Sequence, residues 1–336
     1  MAYAPSTENY TLGKGVIYFN QLVGGVFQGE RDLGNAPAFS FSLATETIEH
    51  FTSRGGLAVK DKEIISQVTP SLAFTLDEIN KENLALLTLG NIASVTQVAG
   101  VASAVSVDAI ADLRAMLAHR QVGGYTINHG AVTGGPFEVG EACTSDNASP
   151  GAGTILAVGT SSIVIAISAG LFEDGDTVTG TTSTASADQS GVMVWAPGVM
   201  LVEDETDTTT YVAGTDYDCL ALLKDDEVGR ILTYSGGAIT NGDTLHLTYQ
   251  YRGETYQRIK AFANTQLTGM LRFVADNPAG NQQEIRVWST SLSPTGDTAL
   301  IGDDWSTLGF TGEILKDETG HPDSPYMDII MDSVVT

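Results

Sequence analysis

The side chains of this sequence best suited to chemistry are five histidines, two cysteines and a run of carboxylates. Their spacing argues against a reaction centre. His50, His119, His129, His246 and His321 are scattered along the chain, whereas a zinc site gathers three or four ligands, so structural or solvent-facing roles fit them better. Neither Cys143 nor Cys219 has a plausible activating base nearby in sequence, and no nucleophile elbow is present. Two cysteines in a large chain read more readily as buried thiols than as a disulfide. Glu203-Asp204-Glu205-Thr206-Asp207 lacks the alternation, turn glycine and distal glutamate of a calcium loop. It reads as a solvated acidic face, and Asp174-Gly175-Asp176 and Asn241-Gly242-Asp243 read as turns. Leu12-Gly13-Lys14-Gly15-Val16 lacks the spaced glycine and the Ser or Thr that a phosphate loop needs. Trp195, Trp288 and Trp305 are isolated aromatics that fit a core or a subunit contact. The expectation is a protein that is not an enzyme and takes no cofactor or metal.

Composition narrows the class further. The 336 residues hold 41 acids against 16 bases, a net charge of −25. A nucleic-acid binder needs a basic stripe to displace counterions from phosphates, which this balance disfavours. It does not disfavour a surface that nucleic acid slides past. Most of the net negative charge falls in residues 131–255, which hold 18 acids and 3 bases. Residues 1–10 have neither the basic start nor the apolar run of a leader, so none is expected. The most apolar stretches, 98–107 and 163–169, are too short or too polar to span a bilayer, so no membrane association is expected. With 37 glycines, few charges and many β-branched residues, the chain should be strands joined by tight turns.

Strand-like runs occupy 15–20, 38–50 and 64–76. Phe39, Phe41 and Leu43 alternate with Ser40, Ser42 and Ala44. Val68, Leu72, Phe74 and Leu76 oppose Gln67, Thr69, Ser71, Ala73 and Thr75. Period two gives each strand a buried and an exposed face, and these exposed faces are small, hydroxylated and nearly uncharged as far as Glu46. Between the strands, residues 50–63 form a glycine-containing connection carrying Arg54, Lys60 and Lys62. A short helix is expected over 77–87, with acids in its first turn, where the helix dipole favours them.

Residues 91–130 leave two readings open. Val107, Ile110, Leu113 and Leu117 have helical spacing, and a strand and loop fit equally. Beyond them, Phe137-Glu138-Val139-Gly140-Glu141 recurs as Phe172-Glu173-Asp174-Gly175-Asp176 and more weakly as Ile239-Thr240-Asn241-Gly242-Asp243. Such Gly-containing turns before alternating runs signal hairpins. Two small β modules are expected, 131–190 and a hairpin-rich 191–255. Long strands return at 266–274, 284–292, 306–315 and 326–331, with Ser293-Pro294-Thr295-Gly296-Asp297 as a turn. The simplest account is one β domain split into 1–130 and 256–336. The modules would be inserted in it and project outward, since surface connections tolerate insertions.

Several motifs in order carry a resemblance. Arg272-Phe273-Val274-Ala275-Asp276-Asn277-Pro278 precedes Ser291-Leu292-Ser293-Pro294-Thr295-Gly296-Asp297, Gly302-Asp303-Asp304-Trp305 and Phe310-Thr311-Gly312-Glu313-Ile314-Leu315. Earlier come Gly13-Lys14-Gly15, Gly29-Glu30-Arg31-Asp32-Leu33-Gly34-Asn35 and Glu82-Asn83-Leu84-Ala85-Leu86. This succession resembles the tail tube (major tail) proteins of long-tailed bacteriophages. Val212-Ala213-Gly214-Thr215-Asp216-Tyr217, with residues 239–243, resembles a hairpin module of phage tail proteins.

The resemblance implies a β-sandwich or half-barrel with one flanking helix, assembled into stacked, hexameric rings. It makes Ser40, Ser42, Ala44, Gln67, Thr69, Ser71, Ala73 and Thr75 candidates for a lumen-facing wall. The 50–63 connection becomes an inter-ring loop whose Arg54, Lys60 and Lys62 pair with acids of an adjacent ring, such as Asp303, Asp304, Asp317 or Glu318. Implied partners are other copies of the chain, a tape-measure protein inside the tube, tail terminator and tail-tip proteins, and double-stranded DNA passing without specific binding. The protein would be made in the host cytoplasm and reside in the virion. Two other functions remain open: a surface-exposed adhesion or decoration protein of the virion, and the tube of a contractile secretion system. Outward modules weigh against a tube that slides within a sheath.

Overall fold

A computed structural model describes residues 10–219 and 228–331. The leader-free reading of residues 1–9 and the final residues 332–336 of the split domain lie outside that range. The chain is mainly β, with one helix among the described residues. Among the described residues no helix is long and apolar enough to cross a membrane. It divides into two units, Met1–Ser94 with Gln257–Thr336, and Val95–Tyr256.

The first unit opens with β1 (Gly15–Val23), β2 (Val26–Phe27), β3 (Arg31–Asp32), β4 (Ala38–Thr52) and β5 (Val59–Leu76). Helix α1 (Lys81–Leu87) and β6 (Asn91–Gln97) follow. The second unit holds β7 (Gly100–Asp108), β8 (Arg114–Arg120), β9 (Val122–Asn128), β10 (Ala142–Ser145), β11 (Ala152–Val158), β12 (Ser162–Ala169) and β13 (Thr177–Gly180). It continues through β14 (Ser186–Asp188), β15 (Val194–Pro197), β16 (Leu201–Asp204), β17 (Tyr217–Cys219), β18 (Val228–Thr233) and β19 (Thr244–Tyr251). The paired ribbon of β6 and β20 (Glu254–Lys260) carries the chain out of the first unit and back. The return supplies β21 (Leu267–Ala275), β22 (Gln283–Pro294), β23 (Leu308–Ile314) and β24 (Met327–Met331).

In the first unit, nine strands form one sheet in the order β2-β1-β21-β22-β23-β5-β4, with β24 on β22 and β3 on β1. Period-two alternation sends Ile17, Phe19, Leu72, Phe74, Leu271, Ile285, Leu292 and Phe310 to one face, where they make the core. The sheet curls over that core until Phe39 of β4 stacks on Phe273 of β21, ring centroids 5.0 Å apart. The helix is shorter than its sequence pattern. Asn80 is extended and caps it by accepting a 2.8 Å hydrogen bond from the Asn83 N–H. The expected turn at 293–297 also shifts, because β22 runs through Pro294 and the connection to β23 is 295–307.

The second unit begins earlier than the sequence suggested, at Val95 instead of residue 131. Residues 100–128 form three strands with short connections, and they pair forward: Val107 with Leu245, Ala115 with Ile231, Ile127 with Ile163. The helical spacing of 107–117 is interrupted by Asp112 at φ 59, which turns β7 into β8. Two cores result. One joins Ala102, Leu117 and Val122 to Val202, Tyr217, Ile231, Leu245 and Tyr249. The other joins Ile127, Phe137, Cys143, Ile155, Ile163, Phe172 and Val178. The module expected at 191–255 is therefore incomplete without 95–122, and the other module sits within it in sequence.

The repeated sequence motif is a repeated turn. Phe137, Phe172 and Ile239 are buried, and Gly140, Gly175 and Gly242 adopt φ of 89, 92 and 96, which glycine enters without a Cβ clash. In each copy the closing acid accepts a backbone N–H three residues back: Glu141 from Glu138, Asp176 from Glu173, Asp243 from Thr240. Many acids of this region thus serve as turn caps as well as surface charge. Asp204, in the dense acid run, likewise accepts from the N–H groups of Thr208 and Thr209.

Candidate functional site: a neutral face and an open edge

Cross-strand register sets the faces of the β4–β5 hairpin. Ser40 opposes Ala73, Ser42 opposes Ser71, Ala44 opposes Thr69 and Ala38 opposes Thr75, while Gln67 lies across from Glu46. Directly opposed side chains share a face, so all eight candidate wall residues come together on one side, with Glu46 as the acid among them. Ser42 and Ser71 hydroxyls are 2.8 Å apart, and the Gln67 amide donates to Thr69 at 3.1 Å. The face extends across the sheet. Ala73 and Ser71 oppose Thr311 and Glu313, which in turn oppose Ser293 and Ser291.

Toward β1 the same face becomes charged but internally balanced. Arg272 donates from Nε to Glu30 at 2.9 Å and from NH2 at 2.5 Å, and Arg286 donates to Glu284 at 2.7 Å. The hydrogen bond from Arg272 holds the Glu30 carboxyl below its ordinary range, with burial opposing. No cation of this cluster is left without a carboxylate.

β4 ends the sheet, with β5 as its sole strand partner among the described residues. This edge is 15 residues long and contains neither Pro nor Lys, with Glu46 and Glu49 as its charges. Pro and charged side chains, Lys above all, are what usually blunt an edge against pairing with another chain. β23 pairs with β5 only from Ser71 to Leu76. The rest of the hairpin is a two-stranded arm on which Leu43, Ile48, Phe51, Ile64 and Ile65 are exposed. A lone two-stranded ribbon is marginal in water, so this arm has the character of a surface awaiting a partner.

The charged connection is tighter than expected. β4 runs to Thr52 and β5 starts at Val59, so Arg54 lies in the turn while Lys60 and Lys62 lie on β5. The Gly-Gly pair marks a tip of residues 53–58, and strand pairing continues up to it. Lys60 donates to Glu49 at 2.6 Å and also to Glu63. These bonds, Glu49 first, raise its pKa. Arg54 and Lys62 make no ion pair among the described residues.

The remaining chemical candidates are dispersed. Cys143 and Cys219 are free thiols in the two separate cores, each pushed up to about 12 chiefly by burial. No group of three or more His, Cys, Asp or Glu among the described residues is placed to hold a metal ion. The sequence marked Trp305 and the Gly302-Asp303-Asp304-Trp305 motif, but not the length of the 295–307 connection or the exposure of Leu300 and Ile301 beside them.

No curated protein matches the chain. A family model described as "Protein of unknown function UCP028589" matches residues 10–169 and 156–330. Since those segments together span the split sheet and the double core within it, the chain belongs to the UCP028589 family.

Proposed function

We propose that this chain is a structural virion protein, the repeating subunit of the tail tube of a long-tailed bacteriophage, without a catalytic role. The observation that carries the reading is the hairpin that joins an open 15-residue edge to a neutral hydroxyl face. An open edge in a curled sheet is relieved when the next copy continues the sheet into a closed barrel. Six copies would make such a ring, and rings would stack. A wall of Ser, Thr, Ala and Gln offers DNA no cation, so no counterions are released from its phosphates there and the duplex is not gripped. A tape-measure protein would occupy the same passage before ejection, and terminator and tip proteins would close the ends. Negative-stain microscopy of the purified chain tests the reading. Hollow tubes or six-fold rings are expected, and persistent monomers or trimers under assembly conditions overturn it.

The wall can be tested separately. Ser42→Lys with Ala44→Lys adds cations at two exposed positions without touching the core. Assembly should persist, while retention of duplex DNA at low salt rises on the order of tenfold or more and collapses at high salt. Unchanged retention at low salt would remove these residues from the wall.

A further inference from the structure

In the second unit, the repeated turn at 172–176 borders a cleft of about 610 Å³. Tyr125 of β9, Ile167 of β12, Phe172 and Met193 give it an apolar lining, and Leu171 and Val192 at its rim are 49% and 79% exposed. Besides the Tyr125 phenol its polar side chains are Glu173, Asp174 and Gln189, and no Lys, Arg or His lines it. Gln189 is the unusual member. It is 3% exposed, its amide nitrogen donates to the Gly191 carbonyl at 3.1 Å, and its Oε1 has no hydrogen-bond partner. Across an isolated bridge from it, His129 is buried and its Nε2 is also unpartnered. The His129 Nδ1 meets the Gly130 carbonyl at 2.9 Å and must be the donor there, so in the neutral ring Nε2 is an acceptor. Buried polar atoms are nearly always paired, and a lone acceptor is satisfied only by a donor.

We propose that this cleft binds a small organic molecule carrying a primary ammonium on an apolar body. The lining takes the body, with Met193 adapting to its shape. Glu173 and Asp174 supply two carboxylates for the charge. Both are already held in place, Glu173 by the Asn147 amide at 3.1 Å and Asp174 by the Gly191 N–H at 2.6 Å. The Tyr125 ring, fixed against Trp195 with centroids 5.2 Å apart, is the kind of aromatic surface a cation prefers. An ammonium brings N–H donors that the carboxylates and the Gln189 Oε1 can share, once the covered amide rotates toward it. A trimethylated ammonium brings none. Clefts of this volume take small ligands, whereas a protein partner needs about 800 Å² a side.

Calorimetric titration of the full-length chain at physiological salt tests this with probes of one shape: 2-phenylethylamine, 2-phenylethanol and the trimethylated amine. The amine should bind about tenfold more tightly than either of the others, the alcohol lacking its charge and the trimethylated form its N–H groups. Gln189→Met, of similar shape without the acceptor, should erase the preference for the amine over its trimethylated form. Glu173→Gln should weaken both cations about tenfold and leave the alcohol unchanged. Val192→Lys, at an exposed position, tethers a competing ammonium at the rim and should abolish binding of the amine. Equal affinity for amine and alcohol overturns the proposal, as does no binding of the amine up to about 10 mM. These comparisons use the unaltered chain, so they decide even where a variant does not fold. Neither result bears on the tail tube reading, because the cleft lies wholly within the second unit.

Discussion

Replacing Phe310 by alanine is expected to destabilise the first unit by about 3–5 kcal/mol and to abolish assembly with it. Phe310 is 0% exposed, at the centre of β23. It opposes Phe74 of β5, with ring centroids 5.1 Å apart and planes 18° apart. Truncation removes that stack and leaves a cavity between β23 and β5, the joint through which the arm is held to the sheet. Domains are stable by only about 5–15 kcal/mol, so the loss is a large share of the total. The two units supply separate reporters. In a Trp195→Phe background the remaining tryptophans, Trp288 and Trp305, lie in the first, while both cysteines lie in the second. Urea unfolding followed by fluorescence should shift to lower concentration, and thiol labelling should not. A fluorescence shift worth under about 1 kcal/mol, well below the usual range for such truncations, would show that β23 repacks without this ring.

Glu141→Gln should destabilise the second unit by about 1–3 kcal/mol. Its carboxylate is only 7% exposed. It accepts the N–H groups of Glu138 at 2.8 Å, Thr182 at 3.1 Å and Ser183 at 3.0 Å, and the Ser183 hydroxyl at 2.7 Å. Burial pushes the carboxyl up, but the combined hydrogen bonds outweigh it, and the net shift is downward. An amide keeps one acceptor and turns a donor toward these donors. Because the folded pKa is depressed, the charged form stabilises fully above the unfolded value near 4.3. That contribution is lost as pH falls through the folded value. The urea gap between wild type and variant, read by thiol labelling, should therefore be widest near neutrality and shrink on acidification. A gap independent of pH would mean that shape, not charge, holds the 180–185 turn.

Alternation made the strands legible but not always their burial. Phe41, Leu43 and Val68, read as one apolar face, are exposed, because on β4 and the outer part of β5 no other element of the described residues covers it. β1, β4, β5 and the four returning strands all start within a few residues of their sequence reading. Residues 95–130 were not. Val107, Ile110, Leu113 and Leu117 satisfy a helical period by coincidence, and only the distant partners Leu245 and Ile231 decide for strands. The first domain boundary moved with them. The eight wall candidates were readable as alternating residues, but their meeting on one face needed the β4–β5 register. The glycine-containing connection read over 50–63 is a turn, but a shorter one, 53–58, since strand pairing is a property of both sides at once. Carboxylates in turns looked like solvated charge because a cap is defined by backbone geometry, which composition does not carry.

The pairing of β1 with β21 has a consequence during synthesis. Gly15 meets Ala275 and Gln21 meets Gly269, so the first strand emerges from the ribosome long before its neighbour. At about 5–20 residues per second, Ile17 and Phe19 wait tens of seconds without the strand that buries them. The second unit, complete once β19 has appeared, can fold in that interval. Because β6 and β20 are paired at its base, its folding draws residues 94 and 257 together and shortens the loop that β1 and β21 must close. The inserted unit would then act as a folding clamp for the sheet that carries it. A nascent chain halted before β21 would expose a ready apolar strand to chaperones.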